Sequence, residues 1–224
     1  MTLSPLGDAA VVVALGTGAD ELALPRVRAL AAALARDLPA GVVDIVPAFA
    51  SVTVYYNPAL IGSYAALCAQ IEIQAARAEA AVVAQDPRVG EIPVCYGGEL
   101  GPDLGAVAAR AGLSAEAVVT LHCGADYQVQ AVGFAPGFAY LGGLPAKIHT
   151  PRRDTPRTSV PASTVGIGGE QTGVYPLATP GGWNLIGRTP LRMFDPERTA
   201  PALLHVGDQV RFRVISAEEF AAWK

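Results

Sequence analysis

The sequence predicts an α+β N-terminal domain followed by a mainly-β barrel domain. Over the first 84 residues, apolar runs that suit strands alternate with apolar residues at helical spacing. From residue 91 onwards, short apolar strands separated by glycine and proline turns dominate, which is typical of barrels. Residues 85–88, Gln-Asp-Pro-Arg, have no apolar period. We therefore predict two domains, residues 1–84 and residues 91–224, joined by a short linker.

The first domain is predicted to have the element order β-α-β-β-α. Its second helix has the clearest start, because Asn57 suits the N-cap position and Pro58 suits the first helical position. The strand before that helix alternates in character, so one of its faces is expected to be buried. The predicted elements are a strand over 9–15, a helix from Pro25 to about 38, strands over 42–46 and 51–56, and a helix from 58 to about 81.

The second domain is predicted to begin with a strand and two short helices. Gly112 is expected to end the first of these helices and Ser114 to cap the second. Ser216 and Glu219 form a capping box on a last short helix. The predicted strands cover 92–96, 127–132 and 210–214, and the first two helices cover about 102–111 and 115–122.

Composition and charge disfavour several classes of function. With 224 residues, of which 51% are apolar, the chain can bury a sizeable core. Its net charge of −4 disfavours nucleic-acid binding. The sequence shows no signal peptide and no apolar stretch that could span a bilayer, and its three sparse cysteines suit a reducing compartment. We predict a cytoplasmic protein whose partners include neither nucleic acid nor a membrane.

The sequence also lacks the motifs of several self-sufficient enzymes. No P-loop, dinucleotide fingerprint, nucleophile elbow or H-E-x-x-H motif occurs. The three histidines and three cysteines have no zinc-like spacing, so no metal ligand is predicted. Only His122 and Cys123 are neighbours. A buried thiol beside a half-exposed imidazole is the favoured interpretation, and a nucleophilic Cys–His pair is the alternative.

Residues 133–195 are the most informative stretch of the chain. They hold 11 of the 24 glycines and 8 of the 18 prolines, together with several large aromatic residues. Glycine and proline at this density usually mean disorder, but large aromatics rarely occur in disordered chain. We therefore predict an ordered, turn-rich surface of the kind that carries binding or catalytic groups.

A proline-stiffened loop in this stretch is a candidate anion site. It reads PRRDTPR over residues 151–157. Arg152 and Arg157 could clamp a carboxylate or phosphate, because a stiff loop loses little entropy when its guanidinium groups bind. The alternative is a solvated basic loop paired with Asp154.

A glycine-rich segment is the second candidate. It reads VGIGGEQTGVY over residues 165–175, and its backbone amides could form an anion nest with Gln171 and Thr172 at the rim. The favoured alternative is a hairpin with a glycine-rich turn.

Two aromatic motifs complete the candidate surface. Trp183 follows two glycines and could serve as a platform for a ligand or partner, and Arg188 could point at the same surface. Phe134, Phe138 and Tyr140 could line an apolar pocket, with the phenol of Tyr140 as its polar group. The alternatives are a core tryptophan, an internal ion pair for Arg188, and core packing of the phenylalanines.

The candidate residues fall into two groups. The candidate catalytic residues are Arg152, Arg157, Arg188 and Gln171. The candidate substrate or partner surface comprises Phe134, Pro136, Tyr140, Gly166, Gly168, Thr172, Tyr175, Gly181, Trp183 and Asn184.

At these motifs the chain resembles the family of the B subunit of bacterial 5-oxoprolinase, also called allophanate hydrolase subunit 1, which includes the Kip sporulation kinase inhibitor. The family usually reads VPAGSVGI where this chain has VPASTVGI over 160–167, and it often has Phe where Leu100 stands. The opening PLGDAAVVVALG also fits. The matching stretches are PVCYGGELGPDL (93–104), GFAPGFAYLGGLP (133–145), PRRDTPRTSVPASTVGIGGEQTGVYP (151–176), TPGGWNLIGRTPLRMFD (179–195) and GDQVRFRVI (207–215).

The resemblance implies a small N-terminal α+β domain and a C-terminal cyclophilin-like β-barrel. It implies a C-type partner subunit and an A-type partner subunit, which together with this chain open 5-oxo-L-proline, a small cyclic amide, to L-glutamate. ATP with Mg would be used by the assembled complex, and no cofactor would be covalently bound. The alternatives are an inhibitor of a sporulation-type histidine kinase, and a carboxyltransferase component of a urea carboxylase or allophanate hydrolase system.

Overall fold

The computed structural model describes residues 1–17, 23–80 and 88–223. The chain divides into two compact units, Met1–Asp86 and Pro87–Lys224, each with a hydrophobic core of its own. Apart from Arg88, the linker predicted over 85–88 lies outside the described residues.

The N-terminal unit is built on an antiparallel sheet. Its described elements are β1 (Thr2–Pro5), β2 (Ala10–Ala14), α1 (Ala23–Arg36), β3 (Val42–Ala48), β4 (Ser51–Tyr56) and α2 (Tyr64–Ala80). The strand order is β1-β2-β4-β3. As the alternating pattern predicts, β4 buries Val52, Val54 and Tyr56, which pack with apolar residues of both helices. The strand β1 was not predicted, because its four residues include a single large apolar one.

The second helix starts later than predicted. The Asn57 side-chain oxygen accepts a hydrogen bond from the Ala59 amide at 3.0 Å, so this residue forms a turn instead of capping a helix. Gly62 then has a φ of +70°, which a right-handed helix cannot contain. Ser63 caps α2, because its Oγ accepts a hydrogen bond from the Ala66 amide at 3.1 Å. The prediction of a helix from residue 58 is therefore wrong.

The C-terminal unit contains a closed barrel. Its described helices are α3 (Leu104–Ala111), α4 (Ala115–Cys123) and α5 (Ala217–Ala222). Its described strands are β5 (Val89–Tyr96), β6 (Tyr127–Val132), β7 (Ala139–Gly142), β8 (Arg157–Val160), β9 (Thr164–Gly168), β10 (Gln171–Val174), β11 (Thr179–Gly181), β12 (Asn184–Arg188) and β13 (Gln209–Val214).

Seven strands close the barrel in the order β10-β7-β6-β13-β5-β12-β9. β5 and β13 run parallel, and the other neighbouring strands run antiparallel. β8 and β11 form a separate two-stranded ribbon. The closed barrel is consistent with the mainly-β second half that the sequence predicts. Among the described residues, no single helix has the length and apolar character needed to cross a membrane, although α3 and α4, bent by 93° at their junction, meet those criteria as a pair.

The helix ends of this unit follow the sequence signals. Gly112, with a φ of +65°, ends α3. Ser114 caps α4 by accepting a hydrogen bond from the Ala117 amide at 3.2 Å. At α5, the Glu219 amide donates to Ser216 Oγ at 3.1 Å, and the Glu219 carboxylate accepts from the Ser216 amide at 2.7 Å. These three predictions are confirmed.

Ser163 occupies the position where the family that this chain resembles usually has glycine. Its φ is +64°, in the left-handed region that favours glycine. The Ser163 hydroxyl donates a hydrogen bond to the Leu191 carbonyl at 2.9 Å, and the Ser163 amide donates to the Tyr175 carbonyl at 2.6 Å. The hydroxyl contact, which glycine could not make, offsets part of the backbone strain.

Candidate functional site

Five aromatic side chains from the stretch 133–195 pack together in the C-terminal unit. We call Phe134, Phe138, Tyr140, Tyr175 and Trp183 the aromatic cluster. The ring centroid of Phe138 lies 5.4 Å from that of Phe134, 4.9 Å from Tyr140, 5.2 Å from Tyr175 and 5.4 Å from Trp183. All four pairs meet edge to face, the favourable arrangement for aromatic rings. Phe138 is therefore the centre of the cluster.

The glycines of β9 and β10 form a seat for Trp183. A Cβ on Gly168 would lie 2.5 Å from the indole Nε1, and a Cβ on Gly173 would lie 3.2 Å from the indole Cζ3. A Cβ on Gly166 would lie 3.2 Å from the Trp183 Cβ. Any larger residue at Gly168 would displace the indole. The glycines are thus needed for close packing, and the aromatic ring lies directly against the two strands.

The hairpin that the sequence analysis favoured for the glycine-rich segment is confirmed. β9 and β10 pair directly, with Gly169 at the turn and a φ of +69°. The Gly169 amide donates to the Thr150 carbonyl at 2.7 Å, so it is already bonded within the protein. Thr172 is fully buried, and its hydroxyl donates to the Gly166 carbonyl at 2.9 Å. It therefore does not lie at the rim of an open turn.

Several residues predicted to form an open surface are core residues. Trp183 is only 4% exposed, so the core interpretation holds and a ligand cannot lie flat on its indole. Tyr175 is 2% exposed, and its hydroxyl occupies the space that a Cβ on Gly181 would need. Asn184 is buried and donates a hydrogen bond from Nδ2 to the Pro151 carbonyl at 2.9 Å. These side chains fix the loops of the surface instead of contacting solvent.

Asp103 organises the arginine loop, although no sequence pattern indicated it. Its buried carboxylate accepts hydrogen bonds from Arg157 at 2.8 Å, from Arg153 at 3.3 Å and from the Leu185 amide at 2.7 Å. The predicted clamp for an external anion is therefore wrong for Arg157, because that guanidinium is bound to an internal carboxylate. The only sequence signal for Asp103 was its place in the stretch 93–104 that resembles the family.

Arg152 and Arg153 are both exposed, and Arg152 is the one that does not contact Asp103. The centre of its guanidinium lies 5.9 Å from the Trp183 ring centroid, a cation–π contact. Among the residues that the structure describes, no carboxylate forms a salt bridge with Arg152. Burial raises the pKa of Tyr140, and the nearby charge of Arg152 acts in the opposite direction. Arg152 therefore covers the aromatic cluster as a charged group.

Of the other two candidate catalytic residues, Gln171 lies close to this place, because it pairs with Gly168, on which the Trp183 indole is seated, whereas Arg188 lies further away. Trp183 lies just before β12, and Arg188 is the last residue of that strand. About 16 Å of extended chain therefore separates the two residues. Arg188 Nε donates to the Ala162 carbonyl at 3.0 Å, which is neither the predicted shared surface nor the predicted ion pair. Gln171 donates from Nε2 to the Gln130 side chain at 3.1 Å.

The exposed edge of the aromatic cluster is Phe134. Its side chain is 63% exposed, so the core packing expected for both phenylalanines holds for Phe138 alone. Phe134 also has a φ of +71°, which bulky residues rarely adopt. Pro136 is exposed, and Tyr140 is half-buried. A strained backbone that presents an aromatic ring to solvent is more common at functional sites than elsewhere.

A chain of buried hydrogen bonds runs through the barrel core, and no sequence pattern predicted it. His122 Nε2 lies 2.9 Å from Thr172 Oγ1, and Nδ1 lies 2.7 Å from the Tyr96 hydroxyl. Because the Thr172 proton goes to the Gly166 carbonyl, its oxygen accepts from Nε2–H, and Nδ1 accepts from Tyr96. The Cys123 thiol donates to the Tyr96 oxygen at 3.3 Å. Each of these hydrogen bonds therefore has one donor and one acceptor.

His122 is neutral within this chain. The residue is fully buried, and burial lowers the pKa of its imidazole from 6.5 to about 3. The expected half-exposed imidazole is therefore wrong. Burial also raises the pKa of the Cys123 thiol, which the hydrogen bond to Tyr96 partly opposes. A neutral imidazole bonded on both sides serves to define the barrel core and is not available as a base for a ligand at the surface.

Neither a cluster of metal-ligating side chains nor a free amide at the glycine-rich turn is found among the described residues. Within residues 1–17, 23–80 and 88–223, no three His, Cys, Asp or Glu side chains lie close enough to hold a metal ion. The Gly169 amide, at the one turn of the glycine-rich segment with a positive φ, is bonded to Thr150.

Comparison with known proteins gives the class of this chain. The family model described as carboxyltransferase domain, subdomain C and D, matches residues 1–204. The sheet unit and the closed barrel are therefore those of a carboxyltransferase-domain protein. The chain is 41% identical over 230 residues to the B subunit of 5-oxoprolinase from Bacillus subtilis, covering 99% of this chain and 96% of the relative. It is 49% identical over 208 residues to the B subunit of 5-oxoprolinase from Escherichia coli O157:H7, covering 92% and 93%. The chain belongs to the family of 5-oxoprolinase B subunits.

Two solved structures share the fold of this chain. The crystal structure of TTHA0988 is 41% identical with a TM-score of 0.81, and the match covers 92% of this chain. This chain spans only 40% of that longer polypeptide. The urea amidolyase of K. lactis has a TM-score of 0.75 at 20% identity, and the match covers 98% of this chain and 15% of the amidolyase. The latter similarity concerns the fold alone.

Proposed function

We propose that this chain is the B subunit of an ATP-dependent 5-oxoprolinase that opens 5-oxo-L-proline to L-glutamate in the cytoplasm, together with A-type and C-type partner subunits. The observation that carries the proposal is the identity of 41% and 49% to two 5-oxoprolinase B subunits, over 99% and 92% of this chain. Relatives that are single subunits of an enzyme imply further subunits, and the reaction is therefore assigned to the complex.

The chemistry supports a shared active site. A five-membered lactam is a resonance-stabilised amide, so its opening needs activation, which ATP supplies to the complex. Phosphorylation of the lactam oxygen develops negative charge that cationic and N–H groups stabilise. Arg152 is exposed and forms no salt bridge among the described residues, whereas His122 is buried and neutral. This chain then binds and orients the substrate, and a partner supplies the remaining groups.

The exposed edge of the aromatic cluster supports contact with a partner subunit. Phe134 presents most of its ring to solvent from a backbone conformation that costs about 1–2 kcal/mol. Aromatic residues of this kind are enriched at the centres of protein interfaces. A partner that packs on Phe134 would contact the same aromatic cluster over which Arg152 lies.

Reconstitution tests this function. The chain is purified alone, with its C-type partner, and with both partners, and ATP-dependent release of glutamate from 5-oxoproline is measured. We expect glutamate release only from the full complex. Activity of this chain alone, or full activity of the partners without it, would contradict the proposal.

The same proteins test the two alternatives from the sequence. A stoichiometric fall in autophosphorylation of a cognate histidine kinase, without oxoprolinase activity, would instead identify a kinase inhibitor. Biotin-dependent carboxylation of urea by the complex would identify a component of a urea pathway.

A further inference from the structure

The arginine loop contains three arginines, and two of them are held internally. Arg157 and Arg153 both donate to Asp103, at 2.8 and 3.3 Å. Asp103 in turn accepts from the Leu185 amide at 2.7 Å, which fixes the carboxylate to β12. The loop backbone is held at a second point, where Arg153 donates its amide proton to the Gly182 carbonyl at 2.7 Å. The loop is thus anchored while Arg152 keeps its guanidinium exposed.

Trp183 gives Arg152 a rigid floor. The indole is seated on the glycines of β9 and β10 and is bordered by the rings of Phe138, Tyr140 and Tyr175 at centroid distances of 5.4, 5.9 and 6.4 Å. A guanidinium that lies over an aromatic face keeps its N–H edge free to donate. That edge matches the two oxygens of a carboxylate, which it binds in a bidentate manner.

The surroundings suit a carboxylate better than a phosphate. A phosphoryl group normally gathers several backbone amides as well as cations. In this unit, the Gly169 amide at the turn of the glycine-rich segment is bonded to Thr150, and Arg157 is bonded to Asp103. An exposed guanidinium without a salt bridge among the described residues, next to a cluster of aromatic rings, fits a small acid that combines a single carboxylate with a compact ring.

We propose that Arg152, lying over Trp183, binds the carboxylate of the substrate acid and so selects 5-oxoproline over lactams without a carboxylate. This inference rests on the proposed function, because that function supplies the substrate. Arg152 then determines substrate affinity and orientation. In the substrate ring, the nitrogen is bonded on one side to the carbon that bears the carboxylate and on the other side to the carbonyl carbon. Groups from the partner subunits then act on the carbonyl carbon.

The test uses the reconstituted complex with wild-type chain, Arg152→Gln, Arg152→Lys and the control Arg211→Gln. Arg211 is a similarly exposed arginine on β13, paired with Asp126. We expect Arg152→Gln to raise the KM for 5-oxoproline roughly 10- to 100-fold, the worth of a charge-assisted hydrogen-bond pair, with the KM for ATP unchanged. Arg152→Lys keeps the charge without the fork and should give an intermediate KM. The control should match wild type.

Each outcome separates the inference from the function. An active wild-type complex whose KM for 5-oxoproline is unchanged by Arg152→Gln would overturn the inference alone. If Arg152→Gln instead raised the KM for ATP, Arg152 would belong to a phosphate site, and the inference would be overturned while the proposed function would stand. A wild-type complex without ATP-dependent glutamate release would overturn the proposed function and the inference with it. Equal melting temperatures for the four complexes exclude misfolding as the cause of a KM change.

Discussion

Replacing Asp103 with alanine should destabilise the C-terminal unit strongly. The Asp103 side chain is 8% exposed and holds Arg157, at 25% exposure, 2.8 Å away. Removing one partner of a buried pair typically costs about 3–5 kcal/mol. The Arg153 contact, at 3.3 Å and 40% exposure, adds at most about 1 kcal/mol because solvent screens it. Since Arg157 is partly exposed, we expect a loss of about 3 kcal/mol in the free energy of unfolding, at the lower end of the range for buried pairs.

Urea denaturation of single and double variants measures this loss. Asp103→Ala, Arg157→Met and the double variant form a cycle, and the double variant should be more stable than the summed effects by about 1–3 kcal/mol. Asp103→Asn is the matched control, because its amide oxygen can still accept from Leu185 while the charge is lost. A loss below about 1 kcal/mol for Asp103→Ala, or strict additivity in the cycle, would refute the claim that this carboxylate anchors the loop.

Three further predictions concern the barrel unit. Ser163→Ala and Ser163→Gly both lose the hydroxyl contact, but only alanine is strained at the positive φ, so the free energy of unfolding measured in urea should be lower for Ser163→Ala by about 1 kcal/mol; equal stability would show that strain is absent. The His122 pKa is lowered to about 3 in the fold against about 6.5 unfolded, so stability is full above pH 6.5 and falls on acidification towards pH 3 by about 1.4 kcal/mol per pH unit. The difference in the free energy of unfolding between wild type and His122→Gln should show this slope. A difference that does not change with pH would show that burial of the imidazole is not its cause. Gly168→Ala should displace Trp183, shift its fluorescence and cost about 1–3 kcal/mol, whereas Gly105→Ala in α3, where nothing lies within 4 Å, should cost nothing.

Local signals predicted the secondary structure well where a single interaction decides it. The alternation in β4, the glycine that ends α3 and the capping box of α5 are all present in the structure. The start of α2 was wrong because two local interactions compete at Asn57. Its side chain can cap a helix or close a turn, and the positive φ of Gly62 favours the turn.

The sequence predicted which residues belong to the candidate site, but it did not predict how their side chains are arranged. Composition correctly indicated that the stretch 133–195 is ordered and aromatic. It could not show that Trp183 faces inward, because the same two preceding glycines suit a core residue and an exposed platform. Nor could it pair Arg157 with Asp103, which lies 54 residues away along the chain. Contacts at such separation follow from the closure of the barrel.

By itself, the sequence determined the family to which the chain belongs, most of the helices and strands outside the stretch 133–195, and several of the caps that end them. These follow from short-range preferences of glycine, proline, serine and alternating apolar residues, which act within a few residues of the chain. Only the tertiary structure decided which charges are satisfied internally and which remain open. Arg152 and Arg157 are equivalent in the loop sequence, but the buried carboxylate of Asp103, brought there by the barrel, binds Arg157 and leaves Arg152 exposed over Trp183.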